Sequence, residues 1–144
     1  MAGVTISSSW VPGEPRAWMP RLSKTAWDQT DHAVLRSHGG NLAAVLLHLR
    51  EEHYQRYRLI ERQIARVLTN SRGFELEPTA GRIQLRRRSI RGDKTFGTHL
   101  TSDGSLRLFC LISLFNLLPE MLPDVILIDE PELGLHLAAI AKAN

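Results

Sequence analysis

The pattern of apolar and polar positions changes character twice along the chain. Residues 1–33 mix Ser, Pro and Trp with neither a period of two nor one of 3.6. Pro12, Pro15 and Pro20 forbid a long helix there, so this stretch is expected to be a poorly ordered N-terminal segment. From Gly39-Gly40-Asn41 onward the pattern turns helical. Asn41 offers an N-cap, and Leu42, Val45, Leu46 and Leu49 follow at helical spacing. A second helical stretch, roughly Gln55 to Leu68, sets Leu59, Ile60, Ile64, Val67 and Leu68 on one side. Its other face carries Arg56, Arg58, Arg62 and Arg66. Residues 34–72 are therefore expected to form a helical segment.

Residues 73–144 read differently. Phe74 to Pro78 and Arg82 to Ile90 alternate weakly, with Gly81 and Gly92-Asp93 as turn signals, which predicts antiparallel strands. Leu106 to Leu118 is apolar nearly all round and predicts a helix buried on most sides, ended by Pro119 and Pro123. Val125 to Ile128 is a continuous aliphatic run, the mark of a central parallel strand covered on both faces. A helix feeding such a strand makes the expected fold class α/β, with a helical segment, antiparallel strands and one buried parallel strand.

Composition narrows the picture only in places. With 144 residues the chain can bury one real core but hardly two. A hydrophobic share of 43% with 23% charged residues belongs to a soluble globular domain. The net charge of +3 conceals a bias, because all but three of the 18 basic residues are Arg. Guanidinium groups favour two-point contact with phosphates and carboxylates, which admits DNA as a partner without requiring it. Alternation along Arg86-Arg87-Arg88 would send neighbours to opposite faces, so a charged strand surface is the plainer reading of that cluster. The single Cys110 excludes an internal disulfide, fits a reducing cytoplasm and is expected as a small buried hydrophobe. No run of 18 apolar residues exists for a membrane span, and the N-terminus lacks the layout of a signal peptide.

Candidate chemistry gathers at two places. In open α/β sheets ligands sit beyond the carboxyl ends of the strands, and Asp129 and Glu130 directly follow the Val125–Ile128 run. One carboxylate there can hold Mg²⁺, directly or through water. Its neighbour, pointing elsewhere, can orient a water toward a γ-phosphate. A strand that merely ends in an acidic turn is the plain alternative. The second place is Thr101-Ser102-Asp103-Gly104-Ser105, ahead of the apolar helix. Helix N-termini offer unpaired N–H groups to phosphate oxygens, Ser102 adds a hydroxyl, and Gly104 admits close backbone approach. Simple N-capping by Ser102 or Asp103 is the alternative there.

The order of these pieces carries more than either alone. Ser-x-Gly helix start, apolar helix, apolar strand, Asp-Glu-Pro and Gly-Leu-His together resemble the ABC-type branch of P-loop ATPases. That branch holds the SMC, RecF and OLD-like proteins and predicted AAA ATPases with LSDGT-type signatures and LIDEPELGLHP endings. The resemblance runs from about Leu35 to the C-terminus, and LRSHGGNLAAVL and GFELEPTAGRIQL are similar to the middle section of that family. It implies a partial P-loop NTPase core over residues 73–144. TSDGS would be the signature, with Ser102, Asp103 and Gly104 reaching the γ-phosphate of ATP held by a second subunit. Asp103 stands where LSGGQ-type signatures have Gly, as is usual in this branch. VILIDE would be Walker B, with Asp129 on the Mg²⁺ side and Glu130 as catalytic base. Glu132 to His136 would cross the dimer interface and count His136 among the residues toward ATP, a helix-start role being its plain alternative. Leu137 departs from the Pro usual at that position.

The same resemblance calls for a G-x-x-x-x-G-K-[ST] loop to cradle the phosphates. Lys24, Lys94 and Lys142 are the only lysines, and none sits in that glycine framework. The expectation is a truncated ATPase, inactive alone, that needs a second ATPase subunit or a missing N-terminal half. A non-catalytic interaction or nucleic-acid-binding module derived from such an ATPase is the alternative. A third reading is a remnant that barely folds, since a lone parallel strand without neighbours leaves its ladder groups unpaired.

Overall fold

The computed structural model describes residues 3–6, 26–36, 39–68, 71–90, 95–97, 103–122 and 124–128. Within these the chain is α/β. In chain order come β1 (Gly3–Ile6), β2 (Trp27–Asp28), α1 (Leu42–Glu52), α2 (Tyr54–Val67), β3 (Ser71–Glu75), β4 (Arg82–Ile83), β5 (Arg86–Ser89), β6 (Thr95–Gly97), α3 (Asp103–Leu114) and β7 (Val125–Ile128).

The helical period predicted α1 and α2 well. Leu42, Val45, Leu46 and Leu49 are all buried, and so are Ala43, Ala44 and Leu47, so α1 is enclosed on nearly every side. In α2 only Tyr57, Ile60 and Ile64 are fully buried, one stripe of an amphipathic helix. A single residue, His53, separates the two helices, and its N–H closes α1 on the Leu49 carbonyl at 2.9 Å.

Asn41 behaves otherwise than the capping pattern predicts. Its side chain makes no cap bond to α1. Fully buried, it turns back to the preceding loop instead, where Oδ1 accepts from the Arg36 N–H at 2.9 Å. Its Nδ2 donates to the carbonyls of Asp31 at 2.8 Å and Val34 at 2.9 Å. Backbone groups turned in from solvent must pair somewhere, and here one buried amide pairs three. The same loop is held from outside by Asp31, which takes the Trp27 indole N–H at 2.7 Å and the forked Arg36 guanidinium at 3.1 Å on each oxygen.

The antiparallel expectation holds, with one redistribution. The Arg82 to Ile90 run divides into β4, which pairs with β2, and β5, which lies between β3 and β6. The turn before β4 follows from two positive φ angles, 51° at Ala80 and 75° at Gly81, the combination that tight hairpin turns require. Register slips between Ser71 and Gly73, a bulge at which Gly73 takes φ 116°. A Cβ there would lie 2.3 Å from Oε1 of Glu61 and displace that carboxylate, and the φ of 116° is one that side chains other than glycine's rarely adopt.

Helix α3 starts earlier and ends earlier than the apolar run suggests, and its Phe109 meets Phe74 of β3 edge-on at 5.3 Å between ring centres. Leu106, Phe109, Cys110 and Leu114 join α1, α2 and β3 in one core that also takes in Leu76, Ile83, Leu85, Leu117 and Met121. Cys110 is buried as expected, and burial pushes its thiol up to about 12.

Strand β7 occupies Val125–Ile128, as the aliphatic run predicts, but it is not sealed on both faces. Val125 is 46% exposed, and only Ile126 is packed against the core among the side chains described. Its ladder partner is β1, parallel and in register from Gly3↔Val125 to Ile6↔Ile128. The expected lone strand therefore has a neighbour, contributed by the N-terminal stretch in which the sequence shows no period.

Candidate functional site

Parallel pairing fixes which end of the small sheet matters. Both strands run the same way, so Ile6 and Ile128 stand side by side at the carboxyl edge. Asp129 and Glu130 follow Ile128 directly in the sequence. That edge is where an α/β sheet receives ligands. Asp129, Glu130, Ser102 and His136 themselves lie outside the described residues.

Of the signature residues, Asp103 and Gly104 fall in the first turn of α3. Gly104 is partly open, while Ser105 and Leu106 behind it are buried. The turn is therefore anchored through its second half and accessible through Gly104. A twelve-residue helix whose first N–H groups lack intrahelical partners gives that end a positive dipole, suited to phosphate oxygens. The burial along α3 explains why the anchoring holds, since Phe109 and Leu114 are at or below 1% exposure.

The residues fit the two halves of an Mg·ATP group unequally. Asp129 and Glu130 supply hard oxygen donors, which match Mg²⁺. The triphosphate half is not matched, because neither the residues after β1, SSSWVPGEPR, nor any others form a G-x-x-x-x-G-K-[ST] loop. No hydrolytic step is accordingly assigned to these residues alone. Among the described residues no group of three or more His, Cys, Asp and Glu is placed to hold a metal ion.

One cluster escaped the sequence reading, and a second, the arginine face of α2, was read from it only in part. The imidazoles of His32 and His48 stack at 4.0 Å and 11°, and His53 meets His48 edge-on at 5.8 Å. Burial holds the His48 ring below its ordinary pKa, and the neighbouring His32 and His53 act in the same direction against Glu52 and Glu51. His48 and His53 are close in sequence, but His32 arrives only through the loop that Asn41 ties down. The second cluster is arginine. Of the four arginines assigned to the outer face of α2, Arg56 turns aside to the turn after α3, where Nη1 donates to the Asn116 carbonyl at 3.5 Å. Arg72 of β3, not singled out by any motif, is exposed as well.

Comparison with known proteins then decides the family. The sequence model of the family described as "AAA domain, putative AbiEii toxin, Type IV TA system" matches residues 4–142. The chain belongs to this AAA domain family. The match begins inside β1 and so includes the N-terminal residues that the motif resemblance, starting near Leu35, leaves out. It spans Ser102 to Gly104, Asp129, Glu130 and His136. No curated protein and no solved structure matches the chain. Membership makes this an ATPase-like domain of the P-loop AAA type at a coarse level, and nucleotide and Mg²⁺ binding are general to such domains. No helix among the described residues is long and apolar enough to cross a membrane.

Proposed function

We propose that this chain supplies one side of a composite ATP site, the signature and Walker B side of the ABC-type branch, and that the phosphate cradle comes from residues other than these 144, in a second ATPase subunit or an N-terminal half. The observation that carries this reading is the parallel β1–β7 pair, with Asp129 and Glu130 next in the sequence after Ile128 at its carboxyl edge. The open first turn of α3 supports it, since Gly104 leaves room for a phosphate of a partner-held nucleotide.

In this reading Asp129 holds Mg²⁺ through an oxygen ligand and Glu130 orients the attacking water. Ser102, Asp103 and Gly104 approach the γ-phosphate from across an interface, and the Glu132–His136 stretch lies along it. A second ATPase subunit is the partner that such a site requires.

The full-length chain titrated with labelled ATP and Mg²⁺ should show no saturable binding in the micromolar range. Any phosphate release should be the same in wild type and Glu130→Gln, because the chain alone has no grip on the triphosphate. Micromolar binding, with turnover that disappears in Glu130→Gln, would sink the one-sided site and make the chain a complete ATPase.

A further inference from the structure

Away from the proposed ATP site, three imidazoles gather where the loop after β2 lies on α1. His32 comes from that loop, His48 from α1 and His53 from the junction with α2. The His32 and His48 rings are stacked, their centres 4.0 Å apart at 11°, and both are half-buried. His53 closes on His48 edge-on at 5.8 Å. Rings stacked face to face hold their nitrogen lone pairs in two parallel planes, so those nitrogens do not converge on one metal ion. The stack is therefore a contact between the loop and α1, and it is a contact that titrates.

Residues 29–34 run from β2, two residues long and paired with β4, to Leu35, which is 1% exposed. Neutral hydrogen bonds tie this stretch to its surroundings. The Gln29 N–H donates to the Gly81 carbonyl at 3.1 Å, and the Asp31 and Val34 carbonyls accept from the Asn41 amide. The Asp31 carboxylate is engaged by Trp27 and Arg36. Amide bonds and carboxylate–guanidinium pairs keep their charge near neutral pH, whereas imidazoles do not. Burial acts most strongly against a charge on His48, followed by His32 and His53, while Glu52 and Glu51 of α1 favour it. The other charged groups nearby are engaged elsewhere. Arg50 of α1 meets Glu77 and the Leu76 carbonyl. Asp28 of β2 is turned to Thr30, with Arg82 of β4 beside it. On α2, Tyr57 and Arg58 are bound to Glu61, and Arg56 reaches the Asn116 carbonyl.

We infer that the stacked His32–His48 pair is an acid-sensitive latch, which holds residues 29–34 on α1 while uncharged and lets them swing away when both rings are protonated. Two neutral imidazoles attract each other as stacked rings do. A first proton is tolerated, because a cation over a ring face is also attracted. A second proton is not, since like charges at this spacing in a half-buried site repel strongly. The second proton is taken up readily only once the rings part, so acidification draws out the open form. The latch is closed above the ordinary histidine value of 6.5 and opens as pH falls below it. The loop is the partner that yields. No residue of 29–34 is fully buried, whereas seven of the eleven residues of α1 are. This device is independent of the proposed ATP site.

Hydrogen exchange of the full chain, followed by mass spectrometry from about pH 7.5 to about pH 5 and normalised to the unfolded chain at each pH, tests the latch. The amides of residues 29–32, which donate to Gly81, Asp28 and Thr30, report on the loop. Their protection should fall on acidification, by up to about tenfold per pH unit, while the amides of α1 keep theirs. In His32→Phe/His48→Phe the rings still stack but no longer titrate, and loop protection should be nearly independent of pH. Should that variant not fold, His32→Gln keeps the test open through the NMR titration of the His48 ring. Burial still holds that ring below its ordinary value, but removing the His32 charge should raise it above wild type. Loop protection that ignores pH in wild type, an equal loss in the phenylalanine variant, a loss shared by α1, or a His48 titration unmoved in His32→Gln would each overturn the latch.

Discussion

Helices α1 and α2 are joined through one residue, yet they live in different environments. LAAVLLHLREE surrenders seven of its eleven residues to the core, and YQRYRLIERQIARV surrenders three of fourteen. The contrast shows where each can carry function. A helix enclosed on nearly every side is fixed by packing, and its polar residues must be satisfied internally. One that buries a single stripe leaves the opposite side free for a partner, and α2 fills that side with arginine. The same distinction separates α3, whose apolar body holds its first turn in place, from the open turn itself.

Substitution should expose the contrast most strongly at the packed positions. Leu46→Ala in α1 removes a side chain at 0% exposure and should cost about 2–5 kcal/mol, read from urea unfolding. Arg62→Ala on the open side of α2 should change stability by no more than about 0.5 kcal/mol. Equal costs at the two positions would break the comparison.

Asn41 sharpens it at the entry to α1. Asn41→Ala strands three part-buried backbone partners and should cost about 1–3 kcal/mol in the same measurement. Asn41→Asp separates the two roles that an Asn can play here. An N-cap accepts Asp as readily as Asn. The loop knot does not, since Asp keeps the acceptor for Arg36 but loses both donors. A fully stable Asn41→Asp would restore the capping role and remove the knot.

The smallest effect should come from His48, the half-buried imidazole of α1. Its pKa is lowered in the folded protein, first by burial and then by His32 and His53, with Glu52 and Glu51 opposing. The folded state therefore binds fewer protons than the unfolded chain just below the ordinary value of 6.5. Stability should be full above that pH and fall as pH drops from it toward the depressed folded value. Denaturant midpoints across this range should slope downward on acidification in wild type and flatten in His48→Phe. A slope that survives the substitution would move the origin to another group.

Legibility from sequence followed the range over which each signal acts. Periodicity within one helix is local, so Leu42, Val45, Leu46, Leu49, Ile60 and Ile64 could be read as core without the fold. Val125–Ile128 could be read as a strand for the same reason. Pairing is not local. GVTI carries too few residues for a period to show, and it becomes β1 only because β7 lies beside it. Asn41 looked like a cap because the cap pattern is written in adjacent letters, whereas its true partners at positions 31, 34 and 36 are chosen by how the loop folds back.

The sequence by itself determined which side-chain types are on offer: the adjacent carboxylates Asp129 and Glu130, the Ser102-Asp103-Gly104 run, and only three lysines, none in a phosphate-loop framework. Those are matters of side-chain type and spacing, and no fold can add a missing group. Tertiary structure alone decided the neighbours. It paired β1 with β7, matched Arg86 to Glu75, and brought His32 onto His48. Each of these depends on distances across the chain, and those arise only when the core around α1 closes.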